Sequence, residues 1–435
     1  MRHWLLLTAL VVTVVSINCS RGPESGPAGF GPSSLGEIPS VRLNYRYEPD
    51  VPPPNESTAG VTRDERNPGV QGHFDQNRPQ EVLDRTIASP DSKRVLAIYH
   101  KAGDQPLEFR LDMYNDAGQL LNKITADAMA VHFPDTIRWS PDSSSVAFVA
   151  MIRGVTIDET AAAPVLDPET STAPSNQNTT TQTETPEADA NVDTNVATAA
   201  PTPAAPTGIL TFRTEQIYIC DAEGLGARAI TQNEGLIYFY YVWSPDSSML
   251  AALAAKSIEF RYLSDNADKA GEIFVPVGRP RVVEKNGRER RLDDALTAVQ
   301  PVWSPDSTKV ACAFEHQIRL YDANGTAPTQ AAIPLRNNLL ISSQAYDREQ
   351  QSKLNAENIQ TDANAAPAAN NAQPNTLPDA GTLVSFNPIV ALNWQPDGLL
   401  YFQTAYIKRM KNEADSVTSF PRWHRLVLTP QATAR

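Results

Sequence analysis

The amino-acid sequence predicts an all-β protein made by repeating one four-stranded antiparallel unit, and three observations predict it. A Ser-Pro-Asp motif or a near copy occurs five times: Ala88-Ser89-Pro90-Asp91, Trp139-Ser140-Pro141-Asp142, Trp243-Ser244-Pro245-Asp246, Trp303-Ser304-Pro305-Asp306 and Trp394-Gln395-Pro396-Asp397. A short, nearly continuous apolar run follows each: Val95–Tyr99, Val146–Ala150, Leu250–Leu253, Val310–Phe314 and Leu399–Phe402. Further downstream a second turn recurs, at Tyr114–Gly118, Cys220–Gly224 and Tyr321–Gly325. One such unit cannot bury its own apolar face, so repetition implies units stacked against one another.

Taken in order, each motif reads as strand, tight turn, strand. Ser, Pro, Asp and then Ser or Gly suit the four positions of a type I turn, since proline presets its own φ and Ser or Asp bonds the local backbone. The runs that follow are about one helical turn long and bounded by turn residues, which argues for strands buried on both faces. The second turn ends in Gly, which supplies the positive φ a hairpin needs. Four antiparallel strands per unit define a β-propeller blade. The spacing agrees: Pro90 to Pro141 is 51 residues and Pro245 to Pro305 is 60. The two longer gaps each reduce to 51 once the low-complexity residues 156–208 and 342–381 are set aside. Five blades are recognisable. The length of 78–435 without the inserts would also accommodate a sixth, degenerate one, but the even spacing favours five. Four of the six tryptophans lie in the motifs and are expected to wedge between neighbouring blades.

The Trp-Ser-Pro-Asp turns, with Gln216-Ile217-Tyr218-Ile219-Cys220-Asp221-Ala222-Glu223-Gly224 and Arg228-Ala229-Ile230-Thr231, resemble the WD40-like (PD40) propeller repeat of the TolB family. The same repeat occurs in the propeller domains of prolyl-oligopeptidase-type peptidases. The resemblance runs from about Glu81 to the C-terminus, broken by the two inserts. It implies the fold and says little about the task, because one fold hosts many functions. TolB proteins place a mixed α/β domain before the propeller, and the segment here is too short and too proline-rich for one. The outer-membrane partners of that family therefore do not transfer.

Residues 1–18 read as a signal peptide, with Met1-Arg2-His3 before an apolar stretch from Trp4 to Val15. Cys19 directly after it is the expected lipid attachment site of a bacterial lipoprotein, although Asn18 and Ser16 depart from the residues usual before such a cysteine. Residues 19–77 are rich in Pro, Gly and Ser and read as an extended tether. Within them Val41–Tyr47 alternates like a strand, which either completes the last blade or pairs nowhere. Cys220 and Cys312 fall in strands of different blades and are expected to be unbridged, small buried side chains. The inserts 156–208 and 342–381 are too poor in apolar residues to offset the cost of ordering, so disorder is expected. The formal charge of −13 owes eight units to 156–208, which holds eight acidic residues and no Lys or Arg. Neither that total nor the −5 left without the segment suits a nucleic-acid partner, and the mixed-sign run Arg279–Asp294 reads as a solvated hairpin, with binding to an acidic partner as the lesser alternative.

The sequence holds no nucleophile elbow, phosphate loop, H-E-x-x-H pair or EF-hand loop. Too few residues follow the last strand pair for a peptidase domain. Asp91, Asp142, Asp246, Asp306 and Asp397, with Pro90, Pro141, Pro245, Pro305 and Pro396, are explained by the turns, so no metal and no cofactor are expected. His100 and His316, the latter beside Glu315, form the one constellation that could serve an active site at the channel mouth. The favoured reading is a non-catalytic interaction scaffold of the bacterial envelope, lipid-anchored, with an envelope protein as partner. The alternatives are a propeller hydrolase or lyase using Glu315, His316 and His100, and a purely structural component whose inserts act as spacers.

Overall fold

The computed structural model describes residues 35–55, 66–104, 107–152, 215–325, 329–359 and 377–431. Strand β1 (Leu43–Glu48) comes first. Blade 1 is β2 (Glu81–Ala88), β3 (Arg94–Lys101), β4 (Arg110–Asn115) and β5 (Leu120–Lys123). Blade 2 has a divided inner strand, β6 (Met129–His132) and β7 (Arg138–Trp139), then β8 (Ser145–Ile152), β9 (Gln216–Asp221) and β10 (Arg228–Ala229). Blade 3 is β11 (Leu236–Trp243), β12 (Met249–Lys256), β13 (Arg279–Glu284) and β14 (Glu289–Arg291). Blade 4 is β15 (Val302–Trp303), β16 (Lys309–Phe314), β17 (Gln317–Asp322) and β18 (Gln330–Pro334). Blade 5 is β19 (Ile389–Trp394), β20 (Leu400–Lys408) and β21 (Val417–Pro430), and β1 pairs antiparallel with β21 as its fourth strand. The strand at 41–47 thus completes the last blade, and among the described residues the blades number five.

The repeated turns have one geometry. Ser89 Oγ donates to Asp91 Oδ1 at 2.7 Å and accepts from Arg94 N at 3.0 Å, while Ser92 N donates to Ser89 O at 2.8 Å. The fourth turn residue is left-handed in all five: Ser92, Ser143, Ser247, Ser307 and Gly398, with φ of 60–62° at the serines and 83° at Gly398. Serine at such a position carries strain of about 1 kcal/mol that glycine would not. The reason for serine lies in the next blade. Asp91 N donates to Ser143 Oγ at 3.1 Å, Asp142 N to Ser247 Oγ at 3.1 Å, and Asp246 N to Ser307 Oγ at 3.0 Å. The tryptophans repeat the same step, with indole Nε1 donating from Trp139 to Ile87 O, from Trp243 to Arg138 O and from Trp303 to Val242 O, at 3.1–3.3 Å. These bonds lock blade 1 to 2, 2 to 3 and 3 to 4.

Apolar clusters fill the same junctions. Leu96, Ile98 and Met113 meet Phe148 and Tyr218; Val149 and Ile219 meet Tyr241 and Leu250; Val282 meets Val310 and Tyr321. Blades 4 and 5 join through Ala313, Leu320, Phe402 and Leu426. Cys220 and Cys312 are free and buried in these layers, as expected. Among the described residues no apolar cluster joins blade 5 to blade 1. The open face of blade 1 is covered by helix α1 (Pro68–Asn77), whose Val70 and Phe74 pack on Leu83, Val95, Tyr99 and Tyr114. Asn67 caps α1 by accepting from Gly69 N and Val70 N, with Pro68 at the first turn. Gly118 (φ 79°) lets the β4–β5 hairpin approach it: a Cβ there would lie 2.4 Å from a Gly69 backbone atom. At the end of α1 the buried Arg78 bonds Asp112 at 2.6 Å.

Two readings based on composition need correction. Of the presumed tether 19–77, residues 35–55 and 66–77 belong to the folded body through β1 and α1. Of the presumed disordered insert 342–381, residues up to Ile359 belong to helix α3 (Arg336–Ile359), and Ser342 and Ser343 are buried. Polar helix formers there look like low complexity, while tertiary contacts at the helix base fix the structure. The insert 156–208 lies outside the described residues.

Candidate interaction surface

Strand direction sorts every connection to one of two faces. The five Ser-Pro-Asp turns and the third-to-fourth-strand hairpins lie on one, the turn face. The opposite face carries α3, the ends of β8 and β9 at Ile152 and Gln216, and helix α2 (Ser257–Lys269) between β12 and β13. This insert face also gathers the exposed large apolar side chains. Val82, Leu107, Ile258, Tyr262, Ile273, Val275, Leu296, Ile341, Leu354, Leu377, Val384, Tyr406, Ile407, Val417 and Phe420 lie towards it, and among the described residues only Val41 and Leu225 lie at the turn face.

Helix α2 answers to the 60-residue spacing of the third repeat. Its Phe260 anchors it to blades 2 and 3, with ring centroids 4.9 Å from Phe274, 6.0 Å from Phe239 and 6.5 Å from Phe133. Ile258 and Tyr262, four apart and so on one helix face, are left 75% and 65% exposed. The chain after α2 then bridges to the β20–β21 hairpin of blade 5, Ile273 N donating to Arg409 O at 3.0 Å and Lys411 N to Gly271 O at 2.9 Å. Ion pairs Lys411–Asp268 (2.9 Å) and Lys408–Glu272 (3.5 Å) flank this bridge. Segments 256–275 and 406–417 together carry six basic and six acidic side chains, so the charge of this surface balances.

The base of α3 is set by a buried polar network. Tyr47 Oη meets Ser342 Oγ and His424 Nδ1, each at 3.0 Å, and His424 Nε2 meets Thr404 Oγ1 at 3.0 Å. Arg422 forks onto Asp50 at 2.7 and 2.9 Å, donates to Ser343 Oγ at 2.8 Å and lies over the Tyr346 ring. Burial, with the Arg422 charge beside it, lowers the His424 pKa to about 3, and burial pushes the Tyr47 hydroxyl up to about 12. A neutral imidazole fixed at both nitrogens holds β1, β20, β21 and α3 in register. From Arg348 to Ala356 the helix is exposed on nearly every side.

The sequence candidates for catalysis have separate neighbours. His100 pairs with Asp84 at 2.8 Å, where the register of β2 shifts between Leu83 and Arg85. His316 stacks on Phe386 with centroids 4.3 Å apart and planes at 5°, and burial lowers its pKa. Glu315, left-handed at φ 49°, is exposed, and its carbonyl accepts from Ile389 N at 2.7 Å. These contacts do not bring His100 to Glu315 and His316. Among the described residues no group of three His, Cys, Asp or Glu is placed to hold a metal. The turn aspartates are local ligands of their own turns. Burial opposes ionisation of Asp142, but bonds from the Ser140 hydroxyl and Ser144 N outweigh it and hold the carboxyl at about 2. Cys19 lies outside the described residues. The apolar surface escaped sequence reasoning because its members are scattered between repeats; the extra residues of the third spacing were the one available signal.

Five stacked antiparallel sheets, closed on one blade by an N-terminal strand, define a five-bladed β-propeller with one ornamented face. No protein-family model matches the chain, and no curated protein matches it in sequence. Solved structures similar to it include an oligogalacturonate lyase from Vibrio parahaemolyticus, at 10% identity and TM-score 0.33, covering 80% of this chain and 66% of the lyase. Prolyl oligopeptidase B from Galerina marginata matches at 8% identity and TM-score 0.36, covering 79% of this chain and 36% of the peptidase. A protein described as TolB from Agrobacterium tumefaciens matches at 12% identity and TM-score 0.30, covering 80% and 91%. The chain thus spans just under two thirds of the lyase's length and about a third of the peptidase's. At TM-scores below 0.5 these likenesses add nothing to the topology, and the fold stands on the five sheets themselves.

Proposed function

We propose that this protein is a non-catalytic interaction scaffold of the bacterial cell envelope, exported by residues 1–18, anchored through a lipid on Cys19, and engaging an envelope protein through its insert face. The segregation of exposed apolar side chains supports the reading: Ile258 and Tyr262 stand 75% and 65% exposed side by side on one helix face, and exposed apolar groups gathered together favour an interaction site. The turn face is regular and nearly free of such side chains, as expected of a supporting surface. A photo-crosslinking amino acid placed at Tyr262 in cells making the full chain should give discrete adducts with an envelope protein, and the same group at Leu225 should give none. Equal capture from both positions, or none from Tyr262 combined with turnover of a sugar or peptide substrate, would contradict it.

A further inference from the structure

We infer that the body is held with its turn face towards the anchoring membrane and its insert face away from it, so that the insert face receives a protein on the far side and not the bilayer carrying the anchor. This rests on the anchored-scaffold reading above. The first observation is where the N-terminal arm joins the body. Leu35–Glu37 and Ser40–Arg42 form single 3-10 turns ahead of β1. Gly36 N donates to the Asp306 carboxylate at 3.1 Å, within the Ser-Pro-Asp turn of blade 4. Ser40 Oγ donates to Asp322 Oδ1 at 2.8 Å, and the buried Lys309 ammonium donates to Ile38 O at 2.6 Å and to Asp322. Asp306, Lys309 and Asp322 all stand at the turn-face ends of their strands. Fifteen residues, 20–34, separate Cys19 from Leu35. Such a length spans at most ~50 Å when fully extended, and a strand of eight residues places the insert face roughly 25 Å further away.

The second observation is the chemistry of the far face. An anionic bilayer attracts surfaces with an excess of Lys and Arg. The α2 and β20–β21 surface instead balances six basic against six acidic side chains, several already paired. Apolar side chains such as Ile258 and Tyr262 rimmed by matched charges suit the centre and edge of a protein interface.

The test uses the full-length, anchored chain in vesicles of phosphatidylethanolamine and phosphatidylglycerol bearing an acceptor dye on the headgroups. A donor dye is placed through Leu225→Cys on the turn face or Tyr262→Cys on the insert face; Cys220 and Cys312 are buried and do not compete for label. Energy transfer is expected to be higher from position 225 than from 262, by about twofold or more for faces separated by a blade's height. Equal transfer from both sites in a chain that floats with the vesicles overturns the orientation alone. Stronger transfer from 262 overturns it in favour of a membrane-docked insert face. Failure to float overturns the anchored reading, and the orientation with it.

Discussion

Ser247 sets two opposing effects against each other, and substitution there tests whether the inter-blade bonds hold the ring. Its backbone is left-handed at φ 62°, its side chain is buried, and its Oγ accepts from Asp142 N of the preceding blade at 3.1 Å. Ser247→Ala keeps the strain and removes the acceptor. Asp142 is exposed, so water can replace part of the bond, and the cost should be about 1 kcal/mol. Ser247→Gly loses the same bond but relieves left-handed strain of about 1 kcal/mol. Roughly half of that relief is offset by the freedom glycine adds to the unfolded chain. The expected net is a loss of ~0.5 kcal/mol. Ser92 is the internal control: it has the same φ, of 61°, yet among the described residues no backbone N–H of blade 5 reaches its hydroxyl. Ser92→Ala should therefore be neutral, and Ser92→Gly should stabilise by ~0.5 kcal/mol. Equilibrium urea unfolding of the four variants gives the comparison. Equal losses for Ser92→Ala and Ser247→Ala would show that the hydroxyl acts within its own turn, and the inter-blade account would fail.

Three further outcomes are expected. Lys309→Met leaves Asp322 and the Ile38 carbonyl without their buried cation, so stability should fall by ~3 kcal/mol; trypsin should then cut first within 35–48, and an unaltered digestion pattern would show that Lys309 does not hold the N-terminal arm. His424 is held neutral with a folded pKa of about 3 against an ordinary 6.5. Between those values the unfolded chain binds a proton that the folded one does not, so stability is full above pH 6.5 and falls as pH drops towards 3, by ~5 kcal/mol at most. In His424→Gln that slope should vanish, and identical pH dependence in both proteins would refute the assignment. Deleting residues 156–208 should leave the unfolding free energy from urea titration within ~0.5 kcal/mol of the parent, while a larger drop would mean that this segment packs on the body.

The repeat was legible because its signals are local. Pro90, Asp91 and their counterparts act within four residues, and apolar runs such as Val146–Ala150 need no knowledge of the rest of the chain. Gly118, Gly224 and Gly325 take the positive φ expected of hairpin ends. What composition concealed was structure made by distant contacts. Helix α1 has few apolar residues, and Val70 and Phe74 matter only because blade 1 offers an uncovered face. The base of α3 is held by Ser342 and Ser343 bonding to Tyr47 and Arg422, partners some 295 and 79 residues away. His100 and His316 occupy corresponding strand ends, and correspondence within a repeat puts residues in equivalent places on different blades, not in contact.

The two imperfect copies of the motif carry information that the perfect ones do not. Ala88 stands where the other four copies place a tryptophan, and an alanine cannot reach a preceding blade. Gly398 stands where the others place serine, so the Asp306 backbone has no hydroxyl to meet, and Trp394 turns its Nε1 to Gly398 O in its own turn at 3.2 Å. The junctions these copies would serve, 5 to 1 and 4 to 5, are the two that lack the repeated bonds. The N-terminal portion acts at both ends: α1 covers the open face of blade 1, and the arm from Leu35 to Glu48 ties blade 4 to blade 5 through Asp306, Lys309, Asp322 and β21. Loss of the motif at each end of the array is therefore matched by new contacts from the N-terminal portion, which cap blade 1 and tie blade 4 to blade 5. It follows that the segment bearing the proposed anchor is also a structural member of the propeller, so pulling on the N-terminus loads the 4–5 junction before any other.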